Sequence, residues 1–272
     1  MTIRHLNCGT MRPLATAPLV AHCLLVERPD GLLLVDTGFG SADCADPKRL
    51  GQPFRAIVRP ALDPAETAVA QVRTLGYDAA DVTDIALTHL DLDHVGGLAD
   101  FPGARVHVFA DELAAAQSPT LRERGRYLEV QRAHGPRWAT HDVAGDDWFG
   151  FGAVTALGDD TLLIPLQGHT RGHCGVAVRR TDGGWLLHAG DAYFHTSEKQ
   201  TPPAPPVALK GFQVLMGIDN KRRVTNQERL RELQRSHADE VTIFCAHDPS
   251  EYAALRAEGG RENEWSLGDS NP

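Results

Sequence analysis

Residues 85–97 read Ile-Ala-Leu-Thr-His-Leu-Asp-Leu-Asp-His-Val-Gly-Gly, and the rest of the chain is best read outward from them. Ile85–Thr88 is short and apolar, as a buried strand would be, and it runs straight into His89, Asp91, Asp93 and His94 in an H-x-D-x-D-H spacing. In an extended or looped segment alternate side chains point the same way, so His89, Asp91 and Asp93 can converge. His94 sits where the chain turns into a helix and can face a second ion. Imidazole and carboxylate donors without thiolates suit zinc, iron, manganese or cobalt, and they do not suit copper(I). The competing explanation is that the aspartates only cap the next helix. It gives no motive for packing two histidines among two carboxylates.

The same juxtaposition recurs downstream. His169, in Gly168-His169-Thr170-Arg171-Gly172-His173, follows a strand expected at Thr161–Leu166. Asp191 follows one at Trp185–Ala189, and His247 follows one at Val241–Cys245. Upstream, Asp36 ends the segment Gly31–Asp36 and opens Asp36-Thr37-Gly38-Phe39-Gly40. Taken singly, His169 or His247 reads as an ordinary partly buried histidine. A metal-type ligand after strand upon strand points instead to one sheet edge where all of them meet.

Between these motifs the pattern is α/β. Leu19–Glu27 and Gly31–Asp36 form a hairpin about Pro29-Asp30-Gly31, and Asp63-Pro64 opens a helix that stops at Gly76. A strand is expected at Arg105–Phe109, a helix from about Asp111, and a longer polar helix within Leu121–His134. Segments at Phe151–Thr155, Thr161–Leu166, Cys174–Arg179 and Trp185–Ala189 suggest a second, meandering sheet. Proline-rich Gln200–Val207 reads as an extended surface connection rather than a lid. A charged helix is expected at Asn220–His237 and a last one at Ser250–Glu258, with a frayed tail after Gly259. No repeat or composition shift divides residues 1–272, so a single domain is expected.

Composition narrows the function. The 27 Lys and Arg against 36 Asp and Glu leave a net charge of −9, which argues against nucleic-acid or anionic-membrane partners. No run approaches the roughly 18 apolar residues of a membrane helix, and the N-terminus lacks the apolar core of a signal peptide. The five cysteines include no CxxC pair, which suits reduced thiols in a cytoplasm. The expected partner is a small-molecule substrate, and a homodimer is compatible with the sequence.

The motifs Thr88–Gly97, Gly168–His173, Ala189-Gly190-Asp191 and Ala246-His247-Asp248 resemble, in order, those of the metallo-β-lactamase-fold superfamily. Asp36-Thr37-Gly38 resembles that family's early Asp-Thr-Gly turn, and the match runs from about Leu19 to His247. The resemblance implies an α/β fold, a four-layer αβ/βα sandwich with a dinuclear metal centre at the mouth between two sheets. It places His89, Asp91 and His169 on the first ion, Asp93, His94 and His247 on the second, and Asp191 between them. The departure is Asp91, which stands where the family usually has a second histidine (H-x-H-x-D-H). Its harder oxygen donor leaves zinc as the expected metal but admits iron or manganese.

A bridged dimetal site would bring the pKa of bound water towards about 7, so the expected nucleophile is a hydroxide shared by both ions. Asp93 would orient it or take its proton. Tyr193 would donate to the developing oxyanion, as a tyrosine near this position does in acyl-homoserine lactonases. His173 is expected to support a ligand, Asp36 to orient His89 or its loop, and Arg171 and His195 to lie at the rim. Trp138, Trp148, Phe149 and Phe151 are candidates for the wall of an acyl pocket, with the core as the commoner fate of such aromatics. The expected reaction is hydrolysis of an ester-type bond, a lactone of the acyl-homoserine type foremost, by the lactonase or glyoxalase-II-like group. Thioesters and phosphodiesters are the alternatives within the fold. A diiron redox protein related to flavodiiron reductases, which carry glutamate at the variant position, is the alternative outside hydrolysis. The 272 residues hold no flavodoxin-like segment, which counts against it.

Overall fold

Alternation along short apolar strands sets the layers. In the computed structural model, which describes residues 1–14, 16–152, 155–158 and 160–268, the first sheet takes β1 (Ile3–Asn7), β2 (His22–Arg28) and β3 (Gly31–Val35) from the N-terminal region. It continues with β4 (Val82–Ala86), β5 (Arg105–Phe109) and β6 (Arg137–His141), in the order β1-β2-β3-β4-β5-β6. The second sheet holds β7 (Thr155–Ala156), β8 (Thr161–Pro165), β9 (Cys174–Arg179), β10 (Trp185–His188) and β11 (Val241–Phe244), in the order β11-β10-β9-β8-β7. The helices are α1 (Ser41–Ala45), α2 (Gln52–Val58), α3 (Ala68–Thr74), α4 (Leu92–Val95), α5 (Ala110–Gln117), α6 (Val207–Met216), α7 (Asn220–Ser236) and α8 (Pro249–Gly268).

Successive side chains on a strand face opposite ways. Leu24, Val26, Leu33 and Val35 of the first sheet therefore meet Leu163, Val176, Val178 and Leu186 of the second. Their neighbours Leu25 and Leu34 face outward onto Val69 and Val72 of α3 and Leu113 of α5. On the other side, Ile164, Ala177 and Leu187 face Leu230 and Leu233 of α7. The result is helix, sheet, sheet, helix: the αβ/βα sandwich that the motifs imply. Burying each such leucine or valine contributes about 1.5–3 kcal/mol.

Strand direction decides where the ligands emerge. β3 and β4 run parallel, so Asp36 and His89 leave the first sheet at one edge. In the second sheet β8 and β10 both run antiparallel to β9, and β10 runs parallel to β11. His169, Asp191 and His247 therefore also leave at one edge. The Cys174 N–H donates to the Thr88 carbonyl at 2.9 Å and the His22 N–H to the Ala246 carbonyl at 2.9 Å, tying the two edges together.

Several local expectations need correction. Leu121–His134 is not a helix but a series of turns with one 3-10 turn at Glu129–Gln131. Its side chains bind elsewhere in the chain: Gln131 donates to Asp43, Arg132 to the Ala116 carbonyl and Arg126 to the His169 carbonyl. Tertiary contacts override local propensity here. Asp63 caps only a 3-10 turn, Pro64–Glu66, and Thr67 caps α3. Within Phe151–Thr155, residues 153 and 154 lie outside the described residues, and Phe151 only bridges Trp148. The proline-rich stretch is an exposed connection, but it leads into α6, which no sequence pattern announced. The last helix does not stop at Gly259 but continues to Gly268. A glycine in a helix costs only about 1 kcal/mol, and Arg261 and Glu262 beyond it are good helix formers.

Candidate metal centre

Asp191 stands at the centre of the site. Its Oδ2 lies 3.3 Å from His169 Nε2 and 3.9 Å from His89 Nε2. Its Oδ1 lies 3.3 Å from His94 Nε2 and 3.1 Å from His247 Nε2. Asp91 Oδ2 joins the first set, 3.0 Å from His169 Nε2 and 3.5 Å from His89 Nε2. Asp93 Oδ2 joins the second, 3.6 Å from His247 Nε2. The seven side chains named from the sequence thus form two adjoining clusters, His89, Asp91, His169 and Asp191 beside Asp93, His94 and His247. One carboxylate turns an oxygen to each.

The polar groups behind the ligands aim them. His94 Nδ1 donates to Asp36 Oδ2 at 2.8 Å and His247 Nδ1 donates to the Val20 carbonyl at 2.8 Å, leaving both Nε2 lone pairs facing inward. Asp36 also accepts from the Thr88 N–H and hydroxyl, and His89 Nδ1 lies 3.0 Å from that hydroxyl. Asp36 thus holds the loop of His89, as expected, through Thr88; it reaches His89 only through that residue, and also acts on His94 directly. His173 accepts the Asp191 N–H on Nε2 at 2.9 Å and donates from Nδ1 to the Leu166 carbonyl, so it supports a ligand as expected. Glycine is required beside it. Gly190 has φ 54°, and a Cβ there would stand 2.6 Å from His173 Nε2.

The donor set fits divalent cations. Among the described residues His89 Nε2, His94 Nε2 and Asp191 Oδ1 are buried without a hydrogen-bond partner, and each such atom costs about 1–3 kcal/mol if left so. Burial opposes charge at His94, yet Asp191, Asp36 and Asp93 hold its pKa well above the histidine range. Burial likewise opposes ionisation of Asp191, while His247, His94, His169 and His89 hold its carboxyl well below the usual value. A divalent cation entering the cage would displace the imidazole protons and be held by the ionised carboxylates and the freed nitrogens.

Above the cage opens a cavity of about 570 Å³. Asp91, Asp93, His169, Asp191 and His247 line its floor, and Met11, Leu19, Phe54, Phe194, Leu209 and Phe212 are among its walls. Asp93 is the most open of the seven, at 9% exposure.

Other expected residues fall outside this space. Tyr193 is buried with its hydroxyl donating to Glu251 at 3.1 Å, so it does not face the cavity; its neighbour Phe194 does. The turn that follows β10 sends the two in opposite directions. Trp148, Phe149 and Phe151 pack behind the second sheet and Trp138 behind the first, so none walls the cavity. Arg171 pairs with Glu123 and His195 caps a 3-10 turn, both beside the site rather than in it.

Two contributors had no sequence signal. Glu112 on α5 accepts from the Leu90 and Gly172 N–H groups, binding the first motif loop to the His169 loop. Arg126 lies 3.2 Å through Nε from Asp91 Oδ1. Burial opposes ionisation of Asp91, but Arg126 and then His89 hold its carboxyl well below the carboxylate range.

Comparison with known proteins agrees with this geometry. Residues 16–247 match the sequence profile of the metallo-beta-lactamase superfamily. A probable metallo-hydrolase of Mycobacterium tuberculosis is 46% identical over 93% of this chain and 82% of its own length. The N-acyl homoserine lactonase AttM of Agrobacterium fabrum is 30% identical over 85% of this chain and 83% of its own. Among solved structures, an N-acyl homoserine lactone hydrolase with product N-hexanoyl-L-homoserine at its catalytic metal center superposes with a TM-score of 0.72. It is 20% identical and covers 93% of this chain and 97% of its own. The profile spans every strand but β1 and every cage residue, so the chain belongs to the metallo-beta-lactamase superfamily of metal-dependent hydrolases.

Proposed function

We propose that the protein is a dinuclear metal-dependent hydrolase that opens an ester-type bond, a lactone bearing an apolar acyl chain being the substrate class. The carrying observation is the cavity: apolar side chains line its walls and the seven-residue cage lies at its floor. A substrate filling it needs a lipophilic portion and an electrophilic polar head. The kinship with AttM, an N-acyl homoserine lactonase, supports the same choice. A phosphodiester fits less well. The two arginines of the lining are engaged, Arg122 on the Leu215 and Gly217 carbonyls and Arg126 on the His169 and Met216 carbonyls.

His89, Asp91 and His169 would hold one ion, Asp93, His94 and His247 the other, and Asp191 both; zinc is the metal proposed. When bound, such ions supply Lewis-acid polarisation of the carbonyl and an activated water at neutral pH. The chain's own residues do the remainder. Met11, Phe54 and Phe212 bind the acyl portion and exclude water from the floor. Asp93, opening onto the cavity, takes up on its carboxylate the proton of the attacking water. Asp36 and His173 keep His94 and Asp191 in place as charge shifts.

The test pairs elemental analysis of protein purified without added metal with turnover of lactones of increasing acyl length, a thioester and a phosphodiester. Two ions per chain and lactone hydrolysis improving with chain length are expected. Turnover of the phosphodiester alone, or bound iron with oxygen consumption and no hydrolysis, overturns the proposal.

A further inference from the structure

Asp91 puts a third carboxylate where the motif usually holds a neutral imidazole, and the structure contains a matching adjustment. Arg126 comes from the turns at residues 121–134, far in sequence from every motif, and is 7% exposed. Its Nη1 donates to the His169 carbonyl at 3.0 Å and its Nη2 to the Met216 carbonyl at 2.9 Å. These bonds fix the guanidinium plane between a ligand loop and the end of α6. Its Nε then lies 3.2 Å from Asp91 Oδ1. The other oxygen, Oδ2, is turned to His169 Nε2 at 3.0 Å and His89 Nε2 at 3.5 Å. Arg122, the other arginine lining the cavity, is directed at the Leu215 and Gly217 carbonyls instead.

We propose that Arg126 is a positioning residue that adapts the site to aspartate at position 91. It sets its positive charge against Oδ1, leaves Oδ2 as the donor towards the cage, and cancels the added charge. Asp91 and Arg126 together then present what one neutral imidazole would: one inward donor atom and no net charge. Arginine suits the task because its planar fork can serve two carbonyls and a carboxylate at once and keeps its charge when buried; a lysine ammonium has no such plane. The inference rests on the dimetal reading above.

A double-mutant cycle on the full chain tests it, with zinc affinity and stoichiometry read by chelator competition rather than by turnover. Arg126→Leu is expected to weaken one of two zinc ions by about 10–100-fold, the usual cost of losing a residue that supports a ligand. It should also change the visible spectrum of the cobalt-substituted protein. In an Asp91→His background the same Arg126→Leu change is expected to cost only a few-fold. An equal loss in both backgrounds overturns the proposal, because Arg126 would then act only through the two carbonyls it holds. If the leucine variant does not fold, Arg126→Gln, which can still donate to one carbonyl, carries the same cycle. Wild-type chain binding two ions while Arg126→Leu or Arg126→Gln binds them equally well removes this proposal alone. Wild-type chain binding fewer than two ions removes the dimetal reading, and this proposal with it.

Discussion

His94 and His169 approach Asp191 from opposite sides, each at 3.3 Å, but what stands behind them differs. Behind His94 is a buried carboxylate, Asp36, which accepts from Nδ1 and from Thr88. Behind His169 no partner among the described residues meets Nδ1; the loop is held by its main chain, through Arg126 on its carbonyl. One cluster is thus backed by negative charge that makes its imidazole a stronger donor, the other by positive charge that tempers a carboxylate. The two clusters are therefore unlike in their support, and a variant on one side should spare the other.

Asp191→Ala removes the side chain both clusters share. It should abolish binding of both ions and turnover together, a loss beyond the roughly 10–100-fold that a supporting residue costs. Full activity with bound metal in that variant would sink the paired arrangement. Asp36→Asn should sharpen the asymmetry, weakening the ion beside His94 by about 10–100-fold and the other far less, measurable by stepwise chelator titration. Equal weakening of both would break the comparison.

Away from the ions the effects should shrink. Phe212→Ala opens the cavity wall without touching the cage, so KM for a long-chain lactone should rise by about 10-fold with metal content unchanged. Tyr193→Phe should leave kcat/KM within about twofold, because the hydroxyl is bonded to Glu251. Its cost is stability, about 1 kcal/mol for the lost hydrogen bond, seen as a lower melting temperature.

The smallest effect lies on the first sheet at Asp84, where Arg28, Arg105 and His107 converge on one carboxylate. Burial opposes its ionisation, but the hydrogen bonds from His107, Arg105 and Thr83 draw its pKa down to about 2. A carboxyl depressed on folding stabilises the native state above its unfolded pKa, near 4, and that stabilisation fades as pH falls towards 2. The melting-temperature gap between wild type and Asp84→Asn should therefore narrow between pH 5 and pH 2, with or without chelator. A gap that widens on acidification would contradict this.

What could be read in advance follows a physical division. The seven clustered side chains sit within a few residues of strand ends, so short-range patterns of strand, turn and His or Asp were enough to bring them together as candidates. β5 and β9 were legible to the residue because period-two apolar runs bounded by turn residues leave little choice. β1 and β6 carry mixed, half-exposed residues with no such alternation and had no comparable signal. The turns at 121–134 carry charged residues suited to an exposed helix, and only the cavity-side carbonyls that bind Arg126 show why they are not one.

The sequence by itself determined the cage and the layering, because ligand identity and strand periodicity are local properties. Only the tertiary structure decided which side chains see the cage. Tyr193 and Phe194 are adjacent in sequence, and only Tyr193 was expected at the site. The turns after β10 direct one towards Glu251 in the core and the other into the cavity. Arg126 shows the same limit from the other side: its partner lies 35 positions away in sequence (126 − 91), and no local pattern encodes an ion pair closed by folding.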